Sequence, residues 1–307
     1  MVASELRALA PAETLSPEDF AAQVEALVLR LGERLRRGGF GTHASLRRGS
    51  TGNFVEHRPY HPGDEIRWLD WRVLARSDRY RIREREHESR LRCDLLLDRS
   101  MSMHYPLDRP REAKLAYAAR LLAALAALAH AQGDSVSLYL ADDEVEVLPR
   151  GAFDALHFAG HWMKGDPRRS GHTRLQTCLE SLATLLPKGG LLVLASDLLD
   201  PDPHALLPLR LLRTRALRVV VLHLLHPEER ELPALGLRPF IDLEEGGELL
   251  VDTAAQAQSY ARAMKDFLEQ CRRACEGAAV DYFPVSTGED AFDVLSRLLA
   301  ELGRART

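Results

Sequence analysis

Two short apolar runs, each closing on an aspartate, constrain this fold more than any other feature. Leu91-Arg92-Cys93-Asp94-Leu95-Leu96-Leu97 leads into Asp98, and Leu191-Leu192-Val193-Leu194-Ala195-Ser196 leads into Asp197. Runs of this length bounded by turn residues read as strands buried on both faces, the condition of parallel strands covered by helices. Beyond the first run the chain alternates between helical and strand patterns. A long helix is expected from about Arg109 to Ala131, then a strand pair at Ser135–Leu140 and Glu144–Leu148, and helices near 152–163 and 174–186 before the second run. A helix near 203–213 precedes a strand at Leu217–Leu225, and a hairpin at Glu245-Gly246-Gly247 joins two short strands. A helix over about 254–275, a strand at Val280–Val285 and a last helix at 290–302 complete the series. The pattern predicts an α/β fold with a doubly wound, mostly parallel, Rossmann-like sheet flanked by helices. Ligands of such sheets bind just beyond the carboxyl ends of the strands, which places Asp98 and Asp197 where chemistry is expected.

Upstream, Ser16-Pro17-Glu18-Asp19 has the form of an N-cap, a proline at the first helical position and acidic first-turn residues. It opens a helix with Phe20, Val24, Leu27, Leu31 and Leu35 on one face, ended by Gly38 and Gly39. Residues 40–62 are glycine-rich, basic and without helical periodicity, so they read as extended and loop-like. Arg81 to Glu88 alternate in charge, the pattern of a solvated edge strand. Three regions result: an N-terminal helical segment at 1–40, an extended segment packed on the core at 41–90, and the sheet domain at 91–307. The 307 residues give ample chain for a core, and a net charge of −4 does not point the whole chain toward nucleic acid. The four cysteines form no C-x-x-C pair and read as reduced packing residues of a cytoplasmic protein. The longest apolar stretch, Leu115 to Ala129, is interrupted by Arg120 and reads as too short to span a bilayer.

Asp98, Ser100 and Ser102 put one carboxylate and two hydroxyls on a single turn after the first strand, oxygen donors of the kind that Mg²⁺, Mn²⁺ or Ca²⁺ takes. Gly171-His172-Thr173 falls on a later loop, and Asp197 ends a later strand. Together these residues resemble the metal-ion-dependent adhesion site of von Willebrand factor A-type domains. A second resemblance lies upstream, in the segment from Gly52-Asn53-Phe54-Val55-Glu56-His57-Arg58-Pro59-Tyr60-His61-Pro62-Gly63-Asp64 through Trp68-Leu69-Asp70-Trp71-Arg72 to Arg76. That segment is similar to the signature of the bacterial family called domain of unknown function 58, which joins it to a von Willebrand A-like domain. The likeness is close over residues 40 to 200 and holds in pattern beyond them.

The resemblance implies one divalent cation held by Asp98, Ser100, Ser102, Thr173 and Asp197, the hydroxyls binding directly and an aspartate acting through water. Arg99, His104, His172 and Arg174 would then face a bound partner. His172 and Arg174 depart from the resembled pattern, which has glycine and an acidic residue there, and Arg174 would bring positive charge toward the metal or favour an acidic partner. The family resemblance further implies partnership with a MoxR-type AAA+ ATPase. The expected function is therefore a non-enzymatic, metal-dependent protein–protein interaction module, with a metal-dependent phosphoester hydrolase using Asp98 and Asp197 as the alternative.

Other features carry less. Trp68 and Trp71 read as anchors locking the upstream segment onto the sheet domain. Arg34, Arg36, Arg37, Arg47 and Arg48 have few acidic neighbours, but without interleaved aromatics or a known module they do not make a nucleic-acid site. No phosphate-binding Gly-x-x-x-x-Gly-Lys or Gly-x-Ser-x-Gly elbow occurs, and Ser100 stands where an aspartyl phosphatase would carry its second carboxylate.

Overall fold

The computed structural model describes residues 16–38, 53–60, 70–77, 80–86, 91–106, 112–149, 154–162, 175–200, 204–216, 218–232, 235–241 and 247–303. The chain divides into two compact units, Met1–Glu33 with Arg92–Thr307, and Arg34–Leu91. The larger unit is built on a six-stranded sheet. Its strands are β3 (Arg92–Asp98), β4 (Ser135–Ala141), β5 (Val145–Val147), β6 (Leu191–Ser196), β7 (Arg218–Leu225) and β10 (Asp281–Ser286), in the order β10-β7-β6-β3-β4-β5. All neighbours pair parallel except β5, which runs antiparallel to β4. The chain leaves β3 toward β4 on one side and returns to β6 on the other, so the connections diverge between β3 and β6. That is the switch point at which open α/β sheets bind ligands.

The central strands are apolar at nearly every position because both faces are covered. One face packs under α5 (Leu175–Leu185), α6 (Leu209–Arg215) and α8 (Thr253–Gly277), with Leu96, Leu194 and Val221 meeting Cys178, Leu179, Leu182, Leu212 and Cys275 in one cluster. The opposite face lies on α3 (Lys114–Ala131), which packs on β3, β4, β6 and β7, while α4 (Ala155–Trp162) and α9 (Ala291–Gly303) pack beside α3. By length and composition α3 is apolar enough to cross a membrane, yet most of its side chains are buried in this core. Each large aliphatic side chain in such a core contributes about 1.5–3 kcal/mol by leaving water.

The N-terminal helix, α1 (Pro17–Gly38), forms as its capping sequence predicts, with the Asp19 amide donating to Ser16 Oγ at 3.0 Å. Phe20, Val24, Leu27 and Leu31 are buried. Arg30 reaches Asp290 and lies over the Phe292 ring, and Arg120 donates to Gln23, so the first part of α1 belongs to the sheet unit. Pro208 cannot donate an intrahelical hydrogen bond, so the helix expected near 203 becomes regular only at Leu209. The hairpin of β8 (Leu237–Ile241) and β9 (Glu248–Asp252) is antiparallel, pairing Phe240 with Leu249 and Pro239 with Leu250.

In the smaller unit, β1 (Asn53–Pro59) pairs antiparallel with β2 (Arg81–Glu86), with a register shift between Phe54 and Glu56. The stretch expected to be loop-like thus contains a strand, supplied with a partner by the charge-alternating segment. A short helix, α2 (Trp71–Ser77), starts at Asp70, whose carboxylate accepts from the Val73 amide at 3.2 Å. Trp71 is 60% exposed, so it is not the buried anchor its size suggested: it occupies the first position of α2, and burial there falls to Asp70. Trp68 lies outside the described residues.

Candidate cation site at the sheet edge

The parallel register brings the ends of β3 and β6 together, Leu97 pairing with Ala195, so Asp98 and Ser196 emerge side by side. Asp98 is 3% exposed and Asp197 fully buried. Immediately after Asp98 the chain turns: the Ser100 amide donates to Asp98 Oδ1 at 2.9 Å, and a short 3₁₀ turn, Met101–His104, comes next. This local hydrogen bond is the usual competition of an Asp side chain with regular backbone structure, and it ends the strand. The turn brings Ser100 Oγ and Ser102 Oγ within 3.1 Å of each other.

Asp98 receives a second donor from β6, where Ser196 Oγ lies 2.5 Å from Asp98 Oδ2 and itself accepts from the Leu198 amide at 2.9 Å. Leu198 adopts a left-handed conformation with φ of 55°, a strained backbone for a branched residue that holds its amide on Ser196. Among the described residues, Asp98's hydrogen-bond partners are neutral. Burial, and then the negative charge of Asp197, push its carboxyl up to about 6.

Asp197 is held differently. Its Oδ1 accepts from the Leu199 amide at 3.1 Å, and its Oδ2 lies 2.7 Å from the ammonium of Lys114, the fully buried first residue of α3. Lys114 also donates to Glu229 Oε1. Burial works against the lysine's charge, but Asp197 and Glu229 outweigh it and hold the ammonium above its ordinary range. Glu229 is itself positioned by α7 (Pro227–Arg230), where its other oxygen accepts from the His226 amide at 2.7 Å and its backbone carbonyl accepts from Tyr260 at 2.6 Å. The His223 imidazole on β7 bonds Tyr282 at 2.6 Å, and burial pushes its pKa down to about 4.

Of the residues expected at the metal, Asp98, Ser100, Ser102 and Asp197 meet at this edge; Thr173, His172 and Arg174 lie outside the described residues. Arg99 forms an ion pair with Asp142 at 2.9 Å, and His104 in the 3₁₀ turn has its pKa lowered by burial and by Arg99. Lys114, Ser196, Glu229 and Asp142 join the site without any local signal in the chain to mark them. Among the described residues no group of three or more His, Cys, Asp or Glu is gathered to hold a metal. A hard cation here would draw on Asp98 and the two serine hydroxyls, a donor set that fits Mg²⁺ chemically and needs further oxygen ligands to be complete.

Known proteins place the chain among relatives of undescribed activity. The uncharacterized protein Rv1480 of Mycobacterium tuberculosis H37Rv is 26% identical, the match covering 92% of this chain and 90% of that protein. The uncharacterized protein Mb1516 of Mycobacterium bovis matches to the same degree, 26% over 92% and 90%. Among solved structures, an aerotolerance-related membrane protein from Bacteroides fragilis is 16% identical with a TM-score of 0.46, covering 70% of this chain and 100% of that one. BatB from Bacteroides thetaiotaomicron gives 16% and 0.43, covering 70% and 100%. The model of the family described as protein of unknown function DUF58 matches residues 56–270, and the chain belongs to that family.

Proposed function

We propose that this protein is a metal-dependent protein–protein interaction module, in which Asp98, Ser100 and Ser102 hold a divalent cation and a partner's Asp or Glu completes the cation's shell. The observation that carries the reading is the meeting of the two serine hydroxyls, 3.1 Å apart, beside the buried Asp98 carboxylate at the switch point of the sheet. Thr173 and Asp197 are the remaining members of the proposed set, Mg²⁺ the proposed ion and Mn²⁺ or Ca²⁺ its substitutes. Arg99, His104, His172 and Arg174 would border the partner. The proposed partner is a MoxR-type AAA+ ATPase, or a client protein delivered to it for assembly or remodelling, and the proposed compartment is the cytoplasm.

A cation with an open coordination position gives a strong, directional contact to a carboxylate, whereas exposed arginines give only screened attraction. Capture of a purified MoxR-type ATPase from the source organism should therefore occur in Mg²⁺ and cease in chelator, and Ser100→Ala should abolish it while leaving the fold intact. Chelator-insensitive capture would contradict the reading. So would Mg²⁺-dependent phosphoester turnover by the wild type that is lost in Asp98→Ala.

A further inference from the structure

We propose that Lys114 is the built-in cation of this site: its ammonium claims Asp197 and so limits the demand of the carboxylates for an external metal. This inference rests on reading the sheet edge as a cation site. Lys114 opens a helix whose buried face is otherwise apolar, and its side chain is fully buried. An ammonium is kept in such a place only if opposite charge and hydrogen bonds replace its water. Asp197 Oδ2, at 2.7 Å, and Glu229 Oε1 supply both.

The consequence is a division of labour between two adjacent strand ends. Both oxygens of Asp197 are already satisfied by donors from the protein, the Leu199 amide and the Lys114 ammonium. Among the described residues Asp98 has neutral donors, the Ser100 amide and the Ser196 hydroxyl. Counted as ionised, Asp98, Asp197 and Glu229 carry three negative charges against one positive on Lys114, which leaves the charge that one divalent ion would balance. Without the lysine, the same carboxylates would present more negative charge and a free Asp197, and the site would bind divalent ions tightly by itself. With it, affinity is held low, and an incoming carboxylate from a partner has a larger share in retaining the ion.

The test compares wild type, Lys114→Met, and Lys114→Met with Glu229→Gln, by calorimetric titration with Mn²⁺ and Mg²⁺ at constant ionic strength and by thermal unfolding in chelator and in metal. The double variant removes one positive and one negative charge, so it keeps the net charge of the wild-type cluster while freeing Asp197. It also leaves fewer buried carboxylates unpaired should the single variant fail to fold. Both variants should bind at least about tenfold more tightly than wild type, since a cation close to the incoming ion has been removed. Their thermal midpoints should fall in chelator and rise on adding metal by more than that of the wild type. Metal binding by wild type with no tighter binding in either variant would overturn the role of Lys114 and leave the cation site standing. Binding by the variants alone would uphold Lys114 as the internal cation and overturn metal dependence of the natural protein. Absence of binding in all three would overturn both.

Discussion

Asp98 at the end of β3 and Asp197 at the end of β6 sit one strand apart and are stabilised by opposite means, the first by neutral dipoles, the second by a buried ammonium. The same residue type, at the ends of two neighbouring strands but one residue out of register, therefore meets a new cation differently. Among the described residues, a carboxylate held by an amide and a hydroxyl still lacks a charged donor. One held by lysine does not. The difference arises from which donors each carboxylate reaches: α3 packs on both strands but aims Lys114 at Asp197, while Asp98 is met by its own serine turn and by Ser196 of β6.

The comparison can be broken most forcefully at the lysine. Lys114→Met should destabilise the protein by about 3–5 kcal/mol in urea unfolding, because it leaves Asp197 and Glu229 buried without their counter-charge. On the Asp98 side, Ser196→Ala removes a single neutral donor and should cost about 1–3 kcal/mol in the same measurement. Equal losses would show that the two ends are not held differently. A pH series sharpens the contrast. The folded state holds the Asp98 proton more tightly than the unfolded chain, with its pKa raised from 3.8 to about 6. Its contribution to stability is thus present below the unfolded value and lost as pH rises through the folded one. Metal-free wild type should lose stability relative to Asp98→Asn between about pH 4 and pH 7, and parallel curves would refute the assignment. The smallest effect is expected away from the edge: Trp71→Ala, at a residue 60% exposed, should change stability by about 0.5 kcal/mol or less.

The sheet was legible in the chain because apolar runs and helical periodicity are local signals. Leu95, Leu96, Leu97 and Leu192–Ala195 announce buried strands without knowledge of their neighbours, and Ser16-Pro17 announces the start of α1. Asp98, Ser100 and Ser102 were legible for the same reason, being a single turn of chain. Lys114 was not. One lysine ahead of an apolar helix looks like a solvated end until the fold places it between Asp197 and Glu229, which are 83 and 115 residues away. Ser196 looks in the chain like no more than the polar end of an apolar strand, although a hydroxyl that close to a buried carboxylate is a usual partner. Trp71 misleads in the other direction: a large aromatic suggests a core, yet it stands at the start of a seven-residue helix and remains exposed.

The claim that the β3 end is the cation-holding end is tested most directly by counting bound Mn²⁺ with electron paramagnetic resonance in wild type and in Asp98→Ala, each first verified as folded. The account predicts one bound ion per chain in the wild type at saturating Mn²⁺ and none in the variant. Equal Mn²⁺ binding by the two proteins would contradict it.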